Sequence, residues 1–173
     1  MSGQVTLAPY QMKIFILTDE EKIDQGLENT SLSRPIPFSQ DWEISMIDVK
    51  GKLVHNRKTK ALPILAREFP TFSGTITYRT NFQLEKIGVC CLTIERVFDG
   101  AVVYLNGQKV DTLIAPPYQL LLESQLRVGQ NELVIEVPTT ADRQLADATL
   151  LLNQFEPMEP IGMIGEVPLF QKE

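Results

Sequence analysis

The chain is short of the residues on which most sequence-readable chemistry depends. In 173 residues it has one histidine, one tryptophan and two cysteines. The cysteines, Cys90 and Cys91, are adjacent. Neighbours on a strand point to opposite faces, so an ordinary disulfide between them is disfavoured and no disulfide framework exists. They also lack the Cys-x-x-Cys or histidine spacing that zinc needs. One of the two thiols is expected to pack in the core. With a single histidine, His55, a Ser-His-Asp arrangement has one possible base, set in a charged stretch and best read as a surface residue. No Gly-x-Ser-x-Gly elbow is present either.

Cations are outnumbered. Sixteen Lys and Arg face twenty-two Asp and Glu, for a net charge of −6. That balance argues against nucleic acid, which needs a clustered basic surface. It also argues against attachment to an anionic membrane. Apolar runs such as Ile14-Phe15-Ile16-Leu17 are far too short to span a bilayer. The first residues show no basic region followed by an apolar core, so no signal peptide is visible. Together with the adjacent thiols, this favours a cytoplasmic setting.

What is present is a two-residue rhythm broken by turns. Hydrophobic residues make up 43% of the chain, which places it in the globular class. Residues 5–17 read as a strand, 24–34 as a polar loop, and 42–49 as a strand with Trp42, Ile44 and Met46 on one face. Residues 50–52 read as a turn and 55–60 as a basic, solvated stretch. A short helix is expected over 61–68. Residues 75–82 alternate, with Ile76, Tyr78, Thr80 and Phe82 against Thr75, Thr77, Arg79 and Asn81. A strand over 89–97 follows, with Leu92 and Ile94 facing inward.

Tyr104-Leu105-Asn106-Gly107-Gln108-Lys109-Val110 then gives a hairpin signal. A type I′ turn needs positive φ at both central residues, which Asn-Gly supplies. Residues 118–122 read as a strand. Gly129-Gln130-Asn131 opens another, in which Leu133, Ile135 and Val137 share one face while Glu132, Val134 and Glu136 share the other. Leu145, Ala148 and Leu152 suggest a helix over 140–152 behind a Thr140 cap. The last strand is expected over 166–170, at a sheet edge because of Pro168. The fold class is therefore all-β, an antiparallel β-sandwich with one or two short helices.

Five motifs fall in a telling order. They are Ser73-Gly74 with Tyr78 and Phe82; Ala101-Val102-Val103-Tyr104-Leu105-Asn106-Gly107 with Val110; and Pro116-Pro117-Tyr118. Then come Leu126 through Gly129, Asn131, Leu133, Ile135 and Val137, and finally Gly162-Met163-Ile164-Gly165 with Val167. This order resembles the galactose-binding-like, jelly-roll β-sandwich attached to bacterial glycoside hydrolases of the family 2 and family 106 (α-L-rhamnosidase-like) type. The chain departs from that pattern at Leu113-Ile114, where the family often has an aromatic, and over 139–143, where it often has a polar Asn-Thr run.

The resemblance implies a division into residues 1–33, a strand and linker from a domain border, and residues 34–173, the sandwich. It implies a non-catalytic accessory module that packs on the catalytic domain of a parent enzyme and has carbohydrate as a second partner. It calls for no cofactor. A structural calcium ion is an option for such sandwiches, although no Asp-rich loop here demands one. Two alternatives stay open: a free-standing lectin and a protein-interaction module.

Glycoside hydrolysis needs two carboxyls flanking the scissile bond, about 5–10 Å apart. Asp99, Asp111, Glu95 and Glu136 are candidates, but Asp99 precedes Gly100 and reads as a turn residue, and Glu136 alternates outward on its strand. No catalytic residue is assigned. Sugar binding needs an aromatic face and planar polar groups. Trp42, Tyr78, Arg79, Asn81 and Tyr118 are the candidate contacts, with Tyr104 of the same type. For Trp42 and Tyr78, on apolar faces, a place in the core is the competing reading.

Overall fold

The structure is a computed structural model that describes residues 12, 32–39, 41–141, 143–144 and 160–172. The strand expected over 5–17 lies outside the described residues, as does most of the helix expected over 140–152.

Two antiparallel sheets carry the fold. The larger has six strands in the order β3 (Leu53–Thr59), β2 (Trp42–Asp48), β4 (Gly74–Leu84), β10 (Gly129–Pro138), β7 (Ala101–Leu105) and β8 (Gln108–Leu113). The smaller has four, in the order β1 (Leu32–Pro35), β12 (Leu169–Lys172), β5 (Cys90–Thr93) and β9 (Gln119–Leu122). A two-residue ribbon pairs β11 (Met163–Ile164) with β6 (Arg96–Val97). The architecture is a β-sandwich, as the alternation indicates. Helix α1 (Leu65–Glu68) is one turn inside the expected 61–68.

The alternating residues meet between the sheets. From the six-stranded sheet come Ile44, Met46, Ile76, Tyr78, Phe82, Val103, Leu105, Leu133, Ile135 and Val137, all fully buried. Cys90, Leu92, Leu122 and Leu169 come from the four-stranded sheet into the same cluster. Burying each aliphatic side chain of this size contributes about 1.5–3 kcal/mol, so these positions carry the fold. The long β4–β10 ladder, in register from Gly129 opposite Leu84 to Pro138 opposite Thr75, is its spine.

The hairpin between β7 and β8 forms as its sequence requires: Asn106 has φ +53° and Gly107 φ +80°. The Asn106 amide donates to the Gln125 carbonyl at 2.7 Å and to Asn131 Oδ1 at 2.9 Å, and its own oxygen accepts the Glu132 N–H at 3.0 Å. Asn131 is fully buried and also exchanges bonds with the Arg127 backbone and the Gly129 carbonyl. The tip is thereby tied to the turn that opens β10.

Several expectations are corrected. Residues 55–60, read as a solvated stretch, belong mostly to β3. Residues 32–34, read as the end of a loop, lie in β1. β12 is not an edge: it sits between β1 and β5, and Pro168 precedes it rather than interrupting it. Pro168 thus costs the ladder no N–H within the strand. Both cysteines are buried free thiols, and of the two Cys90 packs into the core cluster, as expected. Burial, reinforced by the neighbouring thiol, pushes Cys90 up to about 11, and burial raises Cys91 as well. Neither is primed as a nucleophile.

Candidate functional site

Strand alternation decides where each candidate side chain stands. On β2 and β4 the even-numbered residues Trp42 and Tyr78 face the other sheet. Trp42 packs edge-on against Phe38 and Tyr78, with ring centroids 5.1 and 6.5 Å away. Tyr78 is fully buried, and its hydroxyl accepts the Met163 N–H at 2.9 Å. Burial drives the Tyr78 hydroxyl far above its ordinary range, so it stays neutral. Neither ring offers a free face to a pyranose; they are core.

Arg79 and Asn81 take the opposite face of the same strand, toward solvent. Tyr118 stands apart from both groups. It is half-buried at the end of the cis Pro116–Pro117 loop, packed against the core, and its carbonyl accepts the Ile94 N–H at 2.9 Å. The five residues named from the sequence therefore do not converge on one point.

The outer face of the six-stranded sheet does gather functional groups. By register, Lys58, Glu43, Arg79, Val134 and Tyr104 follow one another across β3, β2, β4, β10 and β7. Ser45, Thr77, Glu136 and Val102 form the next row. Arg79 lies 3.5 Å from Glu132. The Tyr104 hydroxyl donates to Glu136, which raises its pKa above the usual phenol range. Val134 sits beneath these groups, 8% exposed. The result is a flat polar platform with one half-exposed aromatic ring. The sequence named Tyr104 only as a residue of the same type as the candidate contacts, and Glu43 and Glu132 not as contacts at all. Glu132 was readable as an outward residue because β10 alternates.

A surface groove of about 300 Å³ opens elsewhere, beside the tip of the β2–β3 hairpin, lined among others by Asp48, Val54, Glu68, Phe69 and Ser73. Its two carboxylates are engaged. Asp48 Oδ1 accepts the backbone N–H groups of Lys50 and Lys52 at 2.9 and 2.8 Å. Glu68 takes a two-pronged bond from Arg57 at 2.7 and 2.8 Å, which holds its pKa below the usual carboxylate range. His55 is not a surface residue of a loop. It is half-buried on β3, its ring 4.8 Å from that of Phe69.

The acids weighed for catalysis are scattered. Asp99 holds a positive-φ turn, Asp111 caps its neighbour Thr112, and Glu95 accepts the Glu166 N–H at 2.9 Å. Among the described residues no three His, Cys, Asp or Glu side chains cluster to hold a metal ion. No helix among them is long and apolar enough to cross a membrane.

No protein-family model matches the sequence, and no curated protein does. Solved structures do match. A rhamnosidase from Novosphingobium sp. PP1Y superposes with a TM-score of 0.67 and 24% identity, over 80% of this chain and 15% of that one. The fold is that of a small part of a glycoside hydrolase. A GH2 β-galacturonidase from Eisenbergiella tayi gives a TM-score of 0.53 at 14% identity, over 81% of this chain and 25% of that one. A β-glucuronidase from Ruminococcus gnavus gives 0.51 at 13% identity, over 80% and 29%. The chain thus spans between about a seventh and under a third of each of these proteins.

Proposed function

We propose that this chain is a non-catalytic, galactose-binding-like β-sandwich module of a glycoside hydrolase, which works by packing on the catalytic domain. The observation that carries this reading is the match to the rhamnosidase: four-fifths of this chain superposes on less than a sixth of a much larger sugar-cleaving protein. The chemistry of the surface supports it. The groove's two acids are committed to backbone amides and to Arg57. Among the described residues, the groove therefore holds no free pair of carboxyls for hydrolysis.

Carbohydrate contact is the secondary role, and it falls to the outer sheet face. Arg79 and Asn81 present planar polar groups there, and Tyr104 adds an aromatic surface. Trp42 and Tyr78 serve this role only indirectly, by holding β2 and β4 in place.

The test has two arms. The purified chain is assayed against a panel of aryl glycosides, including rhamnosides, galacturonides and glucuronides, and no turnover is expected. Turnover that disappears with Asp99 or Asp111 substitutions would sink the module reading. Glycan-array binding that falls with Arg79→Ala and Tyr104→Ala, but not with Tyr118→Ala, is the result expected for the platform.

A further inference from the structure

β3 is an unusual edge. Residues 50–60 hold Lys50, Lys52, Arg57, Lys58 and Lys60, five of the chain's sixteen cations, and no acid. The rest of the chain is correspondingly more acidic than the whole. Arg57 is spent on Glu68, but among the described residues none of the four lysines lies in an ion pair, and all four are exposed.

The same hairpin carries a cluster of exposed aliphatics. Ile47 and Leu53 are direct cross-strand neighbours, 42% and 55% exposed, with Val49 and Val54 at 59% and 44%. The backbone of β3 is paired on one side by β2. Among the described residues no other backbone hydrogen bond reaches residues 53–59, and none of them covers the outward row of N–H and C=O groups.

We propose that β3 accepts an extended acidic peptide segment of a partner protein as a seventh strand. Three properties select that occupant together. Open ladder groups call for another strand, since main-chain bonds supply affinity in this mode. Side chains at alternate positions of the incoming strand would set carboxylates toward Lys58 and Lys60, while an aliphatic residue meets Leu53 and Val54. Edge lysines discourage pairing with like strands, and a second copy of β3 would bring its own lysines against these. The charges thus reject a copy of the chain and favour an acidic strand. An anionic polysaccharide would satisfy the lysines but has neither the ladder groups nor an aliphatic side chain for the tip. The inference stands on β3 alone, so it survives or fails apart from any role beside a catalytic domain.

The test uses the intact chain and four probes: a synthetic peptide of alternating glutamate and valine, about ten residues long to match a strand; the same peptide N-methylated along its pairing edge; a lysine–valine counterpart; and polygalacturonate. The acidic peptide is expected to bind, to weaken about tenfold at high salt, and to raise hydrogen-exchange protection in residues 53–59. Its affinity should fall about tenfold or more in a K58E/K60E variant and with the N-methylated probe on the wild-type chain. Absence of binding, binding indifferent to N-methylation, or equal binding of polygalacturonate or of the basic peptide overturns the proposal.

Discussion

At one edge of the six-stranded sheet, β8 returns from β7 through Asn106-Gly107; at the other, β3 returns from β2 through residues 49–52. The first turn is written in backbone chemistry: two positive-φ residues and an amide that bonds three neighbouring groups. The second edge is held by side chains that lie under it. The His55 ring packs tilted against that of Phe69, Arg57 grips Glu68, and Thr59 donates to the Ala61 carbonyl at 2.8 Å. The second turn has local devices of its own, since Asp48 Oδ1 accepts the Lys50 and Lys52 N–H groups and Gly51 has φ +80°. The difference lies in the strands: β3 also depends on α1, which covers its polar side chains. A local device is expected to be stiff and intolerant of change; a side-chain device is expected to be adjustable and sensitive to pH.

The strongest challenge to that contrast is Asn131→Ala. Asn131 is fully buried and makes four hydrogen bonds around the closing turn. Its loss removes four bonds of a buried amide from partly buried partners, and a cost of about 3 kcal/mol is expected in urea unfolding. Gly107→Ala is next. No atom lies within 4 Å of the added Cβ, so its expected cost of about 1–2 kcal/mol comes from backbone strain at φ +80° alone. A neutral result at either site would show that the Asn-Gly edge is not locally specified.

The β3 edge answers to smaller levers. Arg57 holds the Glu68 pKa below its unfolded value. A lowered carboxylate contributes stability that is present above the unfolded pKa, about 4.3, and is lost as pH falls through the folded value. The stability difference between wild type and Arg57→Met should therefore shrink on acidification from neutrality to below about pH 4, measured by chemical unfolding at each pH. His55→Leu is expected to matter least. His55 Nε2 and Arg57 Nε are buried without hydrogen-bond partners. Removing the first of these offsets the lost ring contact, leaving a change within about 1 kcal/mol and a tendency toward stabilisation.

The same contrast explains what could be read from the sequence. β4, β7 and β10 alternate apolar and polar residues because one face meets the core and the other meets water, so their existence and facing were legible. β3 was not. Its inward residues are His55, Arg57 and Thr59, which look solvated until Glu68 and Phe69 are placed over them. β12 was misread as an edge because Pro168 is a real breaker, but it acts just before the strand. The ribbon of β6 and β11 is too short for any period to show. At the candidate site, Arg79 and Asn81 followed from alternation, and the same rule assigns Trp42 and Tyr78 to the interior. Tyr104 needed the β10–β7 register, a long-range pairing that local pattern does not encode. Gly162 belongs to that class too: at φ +77° it lies so close to the Tyr78 hydroxyl that a Cβ would collide with it, a constraint set by two residues far apart in the chain.

The pairing of β1 with β12 has its own consequence. Leu32 stands opposite Lys172, so the first and last described strands are neighbours, about 5 Å apart. Strain on either of these two strands would be shared directly with the other, since each holds the other's main-chain groups.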